Sequence, residues 1–267
     1  MTRHDSSSTH RPTGPTDLPR SPAPLIAEYS PGFRLVETAS IVLFAGLWAA
    51  LVARAAAAGP SLSILAALVA MGGGALAADL VSGTVHWAAD TWGDQGWPIV
   101  GPTLIRSFRE HHVDQTAITH HDFVEANGAT ALVLLPFLLG VHAGLPAGPE
   151  AWSGRHDLVA AFSLSLTFCV LMTNQVHKWA HQERPVRVVR LLQRAGLLLS
   201  AAHHQRHHAG DHLSHYCITT GWLNPVMDRS GVFRRAEAVI QAVSPLRPRE
   251  DDLHLLEESR GSGERDS

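Results

Sequence analysis

The sequence predicts an all-α integral membrane protein with about four transmembrane helices and a histidine-rich cap on one side of the bilayer. Three observations predict it. Four apolar stretches approach the length of a membrane span. Lys and Arg are distributed unevenly around them. Most of the 18 histidines lie outside the stretches, in segments that this charge pattern puts on a single face.

The elements follow in order. Residues 1–35 are rich in Ser, Thr, Pro and Arg, lack an apolar period and read as a disordered tail. No secretory signal peptide is expected, because the first apolar run starts near residue 39. The apolar stretches are Val36–Ala58, Leu62–Leu80, Ala129–Leu145 and Leu158–Gln175. A helix needs about 20 apolar residues to cross the hydrocarbon core. The third stretch departs most from that pattern, since it carries Pro136 and His142. Only Gly59, Pro60 and Ser61 separate the first two, so they form a tight hairpin. Arg3, Arg11, Arg20 and Arg34 precede the first span, and Lys178, Arg184, Arg187, Arg190 and Arg194 follow the fourth. The loop between the third and fourth holds only Arg155. The positive-inside rule then puts both termini and the connection 81–128 in the cytoplasm, at a bacterial inner membrane or an ER-type membrane. Val186–Ala202 reads as an amphipathic helix on the membrane surface, with Arg187, Arg190 and Arg194 on its polar face. The membrane domain spans 36–246, and 247–267 is a charged tail.

Composition excludes some classes. Lys+Arg is 21 against Asp+Glu 24, a formal charge of −3, which is not the basic excess of a nucleic-acid binder. Two cysteines, Cys169 and Cys217, make no disulfide framework and read as ordinary thiols. The run Met71–Ala75, "MGGGA", lies inside an apolar span and does not open a strand–turn–helix unit, so it is no nucleotide fingerprint.

The histidine clusters carry the chemistry. His177 and His181 stand four apart in "HKWAH", on one helical face. His204, His207 and His208 form an HxxHH pattern, and His203 with His207 repeats its spacing. Asp79, Gly83, His86 and Asp90 recur at helical intervals, and Gly83 leaves room for something to approach the backbone. "REHHVDQTAITHHDF" adds His111, His112, His120 and His121. All these clusters fall on the cytoplasmic side, although the topology used only hydropathy and Lys/Arg. One zinc takes about four ligands, so this number suits two ions. Two histidine-held ions beside a bilayer point to iron and oxygen chemistry on a lipid chain, because an unactivated C–H bond offers no acidic proton to a base. Asp79 and Asp90 are candidates to orient histidine rings from behind. His4, His10, His142, His156 and His254 stand alone and are assigned no role. Trp87, Trp92, Trp97, Trp179 and Trp222 read as interfacial anchors, and Arg106 and Arg109 as a positive flank that could meet a lipid phosphate or an electron donor. A histidine-rich metal transporter or sensor is the rival class. It would place ligands at mid-bilayer, whereas these clusters lie outside the spans.

"ADLVSGTVHWAADTWG", "PIVGPTLIRSFREHHVDQTAITHHDFVEANG", "NQVHKWAH", "HHQRHH" and "YCITTGWLNP" together resemble the plasmanylethanolamine desaturase family over roughly residues 75–250. That family includes the animal plasmalogen-forming enzyme, a myxobacterial relative in light-induced carotenoid production and a plant plastid lipid desaturase. The resemblance implies a membrane desaturase with two histidine-bound iron ions (Fe2+), using O2 as co-substrate. It would introduce a double bond next to the ether oxygen of the 1-O-alkyl chain of an ether phospholipid. Electrons would come from an external cytochrome or ferredoxin. The histidines carried over are His86, His111, His112, His121, His177, His181, His203, His204, His207, His208 and His212. His120 stands where the animal pattern has arginine and His215 where it has an aromatic residue, so both are left out. Val226 after "GWLNP" replaces an N-Y-P pattern, which bears on the chain-binding surface. The plant relative brings an acyl-chain desaturase or hydroxylase as the alternative.

Overall fold

The computed structural model describes residues 30–59, 61–94, 97, 101, 105–209 and 212–248. The tail expectations for 1–29 and 249–267 lie outside the described residues, as do the side chains of Arg106 and Arg109. Among the described residues all regular structure is helical. The four long helices are α1 (Pro31–Ala58), α2 (Ile64–Thr91), α4 (Phe123–Gly144) and α5 (Gly154–His181). All four are long and apolar enough to cross a membrane. The short α3 (Arg106–Val113) and a 3-10 turn, Ala117–His120, lie between α2 and α4. After α5 come α6 (Arg187–Arg194), α7 (Ala201–His208), α8 (Asn224–Ser230) and α9 (Val232–Val243).

The bundle pairs α2 with α5 and α1 with α4, and α4 also lies on α5. Its faces invert those of a water-soluble bundle. Large apolar side chains such as Leu65, Val69, Val133 and Phe168 point outward. The interior holds Phe44, Leu51, Ala131, Leu134, Leu138 and Leu171, together with the polar Ser40, Ser163 and Thr167. The hydroxyls of Ser40 and Thr167 are satisfied within their own helices: Ser40 donates to Val36 O at 2.7 Å and Thr167 to Ser163 O at 2.7 Å. In the glycine run at 72–74, Gly74 serves packing. A Cβ on Gly74 would stand 2.5 Å from Phe162 O and 2.8 Å from Leu166 N, so only glycine lets α2 and α5 approach this closely.

Polar clasps fix both ends of the bundle. At one end Arg34 forks onto Asp122, with Nη1–Oδ1 at 2.9 Å and Nη2–Oδ2 at 2.6 Å. Asp122 also caps α4 by accepting from the amides of Val124 and Glu125. At the other end Asp157 accepts from the amide and hydroxyl of Ser61. There too Arg54 donates to the carbonyls of His142, Leu145 and Pro146 and meets the His142 ring at 2.8 Å. The starts of α1 and α4 and the ends of α2 and α5 therefore share one end of the bundle, which carries the cap.

The spans exceed the apolar stretches that announce them. At about 1.5 Å per residue, 28 residues of α2 or α5 reach about 42 Å, against a hydrocarbon core of about 30 Å. The surplus carries the last turns of both into the cap. The expected helix over Val186–Ala202 is instead two helices, because the chain turns at Gly196, whose φ is 70°.

Candidate metal centre

Among the described residues, the cap brings nine potential ligands into two groups. His111, His177, His181, His204 and His208 form one, and His86, Asp90, His112 and His207 the other; within each group the ligand atoms lie within 4.8 Å of one another. Helix periodicity explains the sorting. His177 and His181 leave α5 on one face and share a group. On α7, His204 and His208 are four apart and face the first group, while His207 turns into the second. His111 and His112 are adjacent on α3, about 100° apart around it, and serve different groups. From the end of α2, His86 and Asp90 supply the second group.

These residues fit metal ions better than they fit each other. In the first group His177 Nε2 lies 2.8 Å from His204 Nε2, and His204 and His111 each lie 3.0 Å from His208 Nε2. A neutral imidazole carries one N–H and one lone pair, so a knot of mutually facing Nε2 atoms cannot satisfy itself by hydrogen bonding. Opposed ligands about 2.1 Å from a common ion would stand about 4 Å apart, close to the observed spread. In the second group the opposite ring nitrogens settle the tautomer. His86 Nδ1 lies 3.0 Å from Tyr216 O and His207 Nδ1 2.7 Å from Ser214 O. A carbonyl only accepts, so Nδ1 holds the proton and the Nε2 lone pair points inward. Asp90 Oδ2 lies 3.2 Å from His86 Nε2, 3.5 Å from His207 Nε2 and 3.6 Å from His112 Nε2. Burial pushes the pKa values of His111, His204 and His207 well below the ordinary imidazole value, and neighbouring rings add to it. His208 is pushed down to about 2, again chiefly by burial. Neutral rings are the form that binds metal.

The loop 212–223 sets this geometry. His212 and His215 adopt φ of 58° and 59°, a left-handed conformation that non-glycine residues rarely take, and they bracket Ser214, whose carbonyl meets His207. Asp79, fully buried, accepts from the amides of Thr220, Gly221 and Leu223 at 2.8, 2.9 and 3.0 Å. Ser82 accepts from Ile218 N, and the Asn224 side chain bonds both N and O of Cys217. What approaches Gly83 is Cys217: a Cβ there would stand 2.6 Å from its Sγ.

The remaining sequence candidates stand outside both groups. His121 lies 3.5 Å from Glu125. His203 Nε2 lies 3.1 Å from the amide nitrogen of Asn224. His212 stacks on His112 with ring centres 4.2 Å apart. Asp79 works on the loop rather than on a ligand ring, and Asp90 contributes an oxygen to a group directly. Sequence reasoning missed the carbonyls of Ser214 and Tyr216 and the anchors Ser82 and Asn224. Tyr216 and Asn224 lie in the run "YCITTGWLNP" and Ser82 in "ADLVSGTVHWAADTWG", while Ser214 lies in neither. A cavity of about 270 Å³ opens beside the first group, with His181, His204, Gln115 and Glu183 in its wall.

No solved structure matches the chain. A plasmanylethanolamine desaturase of Myxococcus xanthus is 44% identical over 228 residues, covering 84% of this chain and 78% of that protein. Plasmanylethanolamine desaturase 1 of Mus musculus is 42% identical, over 86% of this chain and 85% of that protein. The chloroplastic fatty acid desaturase 4 of Arabidopsis thaliana is 36% identical, over 66% of this chain and 52% of that protein. The lipid desaturase domain model matches residues 75–251, the stretch that contains both histidine groups and their supporting loop. With that match over most of its length, this multi-pass chain belongs to the lipid desaturase family.

Proposed function

We propose that the chain is an O2-dependent plasmanylethanolamine desaturase. It converts the 1-O-alkyl chain of an ether phospholipid to the vinyl ether of a plasmalogen. The observation that carries this reading is the pair of histidine groups at the cap end of the spans, in a chain at 44% and 42% identity to two plasmanylethanolamine desaturases. The reaction removes two hydrogens from adjacent carbons; with O2, two electrons and two protons it yields the double bond and two waters. Bound iron would supply oxygen activation and C–H cleavage, which no side chain here can supply. His111, His177, His181, His204 and His208 would hold one ion, and His86, Asp90, His112 and His207 the other. The Ser214 and Tyr216 carbonyls keep His207 and His86 presenting their lone pairs. Electrons come from an external cytochrome- or ferredoxin-type carrier. The cap and both termini face the cytoplasm, as the Lys/Arg asymmetry directs.

The test is lipid analysis in cells that make alkyl ether phospholipids but lack their own plasmalogen-forming desaturase, supplied with a competent electron donor. Acid-labile vinyl ethers are expected with the wild type and not with His207→Ala. The plant relative favours a second reading, desaturation of an acyl chain. New acyl unsaturation without vinyl ethers would select it.

A further inference from the structure

The helix α6 lies in neither histidine group, yet it is built in three distinct faces. Val189 is buried, and Gln193 Nε2 donates to Leu199 O at 2.9 Å, so one face is fixed. About a third of the way round the helix, at about 100° per residue, Arg187, Arg190 and Arg194 fall within about 60° of one another. With Leu191 they line a cavity of about 420 Å³. The third face is apolar and exposed: Val188 and Leu191 are 60% and 63% exposed. Among the described residues no carboxylate pairs with these three guanidiniums. The helix begins six residues after the end of the span α5.

From this we propose that α6 is a binding site for the phosphate of a bilayer phospholipid, gripped by Arg187, Arg190 and Arg194 while Val188 and Leu191 lie among the adjoining acyl chains. Guanidinium matches phosphate in charge and in its paired N–H geometry. Three of them lining one cavity, with no acidic partner among the described residues, form an anion site. The adjoining apolar face selects the anion's source. A water-borne acidic protein would leave Val188 and Leu191 wet, whereas a phospholipid at the membrane surface covers both faces together. The inference rests on the reading of α5 as a span and not on the reaction.

The experiment uses the purified full chain in mild detergent, with phosphatidylglycerol as probe and native mass spectrometry as readout. The variant Arg187→Gln/Arg190→Gln/Arg194→Gln is expected to retain the lipid about tenfold more weakly than the wild type, or worse. Its helix content and metal content should be unchanged. Diacylglycerol with the same chains, lacking phosphate, should be retained by neither, and excess inorganic phosphate should not displace the lipid. Val188→Gln/Leu191→Gln, which keeps the arginines, should also weaken retention, and it provides the readout if the arginine variant fails to fold. Equal retention by wild type and both variants would overturn the proposal. Displacement by inorganic phosphate would convert the site to a general anion site and overturn it too. So would capture of an acidic carrier protein through these arginines with no lipid preference. Vinyl ether formation is scored separately, so a failure here is distinguishable from a failure of the proposed reaction.

Discussion

His111 and His112 are neighbours in the chain and members of different groups, and this division was not legible in the sequence. Spacing shows which residues share a helical face, so His177 and His181 could be paired in advance. It does not show that His207, between His204 and His208, looks the other way, because that depends on where α2 and α5 place their own ligands. Asp79 was harder still, since its amide partners lie more than 140 residues away. Asp90 brings the carboxylate to the second group, so Asp90→Asn should lower that group's affinity and leave the other intact. Metal analysis of purified protein should then find about half the wild-type content; unchanged content would remove Asp90 from the site. His142 has a role that its isolation in sequence concealed. Its Nε2 bonds Leu47 O at 2.9 Å and its ring meets Arg54, at the end of the bundle away from the cap. His142→Ala should therefore cost stability of about 1–2 kcal/mol, measured by thermal unfolding, with metal content retained.

At the level of elements, the four spans were legible and their boundaries were not. Hydropathy finds the lipid-facing stretch, whereas α2 and α5 continue as helices into the cap on polar residues. The third span starts earlier than its apolar run, because Asp122 caps it. That cap gives a pH signature. Arg34, and then the capped amides, hold the Asp122 pKa at about 2, below the usual 3.8. A depressed carboxylate stabilises fully above its unfolded pKa of about 3.9, and the contribution is lost as pH falls from there through about 2. Asp122→Ala should thus lower the melting temperature at neutral pH by an amount equivalent to about 1 kcal/mol. The gap to wild type should close between about pH 4 and pH 2; a gap independent of pH would deny the carboxylate this role. The glycine run offers a second test. Gly74→Ala drives a methyl into the backbone of α5, whereas a Cβ on Gly72 meets nothing within 4 Å. Folded yield from membranes should fall for the first and not for the second.

Across the whole molecule, two cores are held by different means. Phe44, Leu51, Leu138 and Leu171 pack within the bundle. The cap has a smaller cluster, Val176, Ala180, Leu199 and Ile218, and beside it a block of buried imidazole rings, among them His86, His111, His204 and His207. Like rings facing one another do not cohere without an ion, and an ion joining His86 to His207 would tie together segments 121 residues apart. Chelation should accordingly open the connections around residues 182–200 and 212–223 to protease while the four spans stay resistant. A single cooperative loss of both would show that the cap is not separately stabilised.

The surplus length of α2 and α5 makes them a pair of posts, and posts fix a height. On the proposed reading, the carbon to be oxidised sits beside the ether oxygen, close under the headgroup, while the rest of the chain hangs towards the bilayer centre. An oxidant raised to the rim need not reach into the hydrocarbon to find it. The position of the new double bond becomes a matter of elevation: the enzyme counts carbons from the surface by where it stands, and the chain's far end is left uncounted.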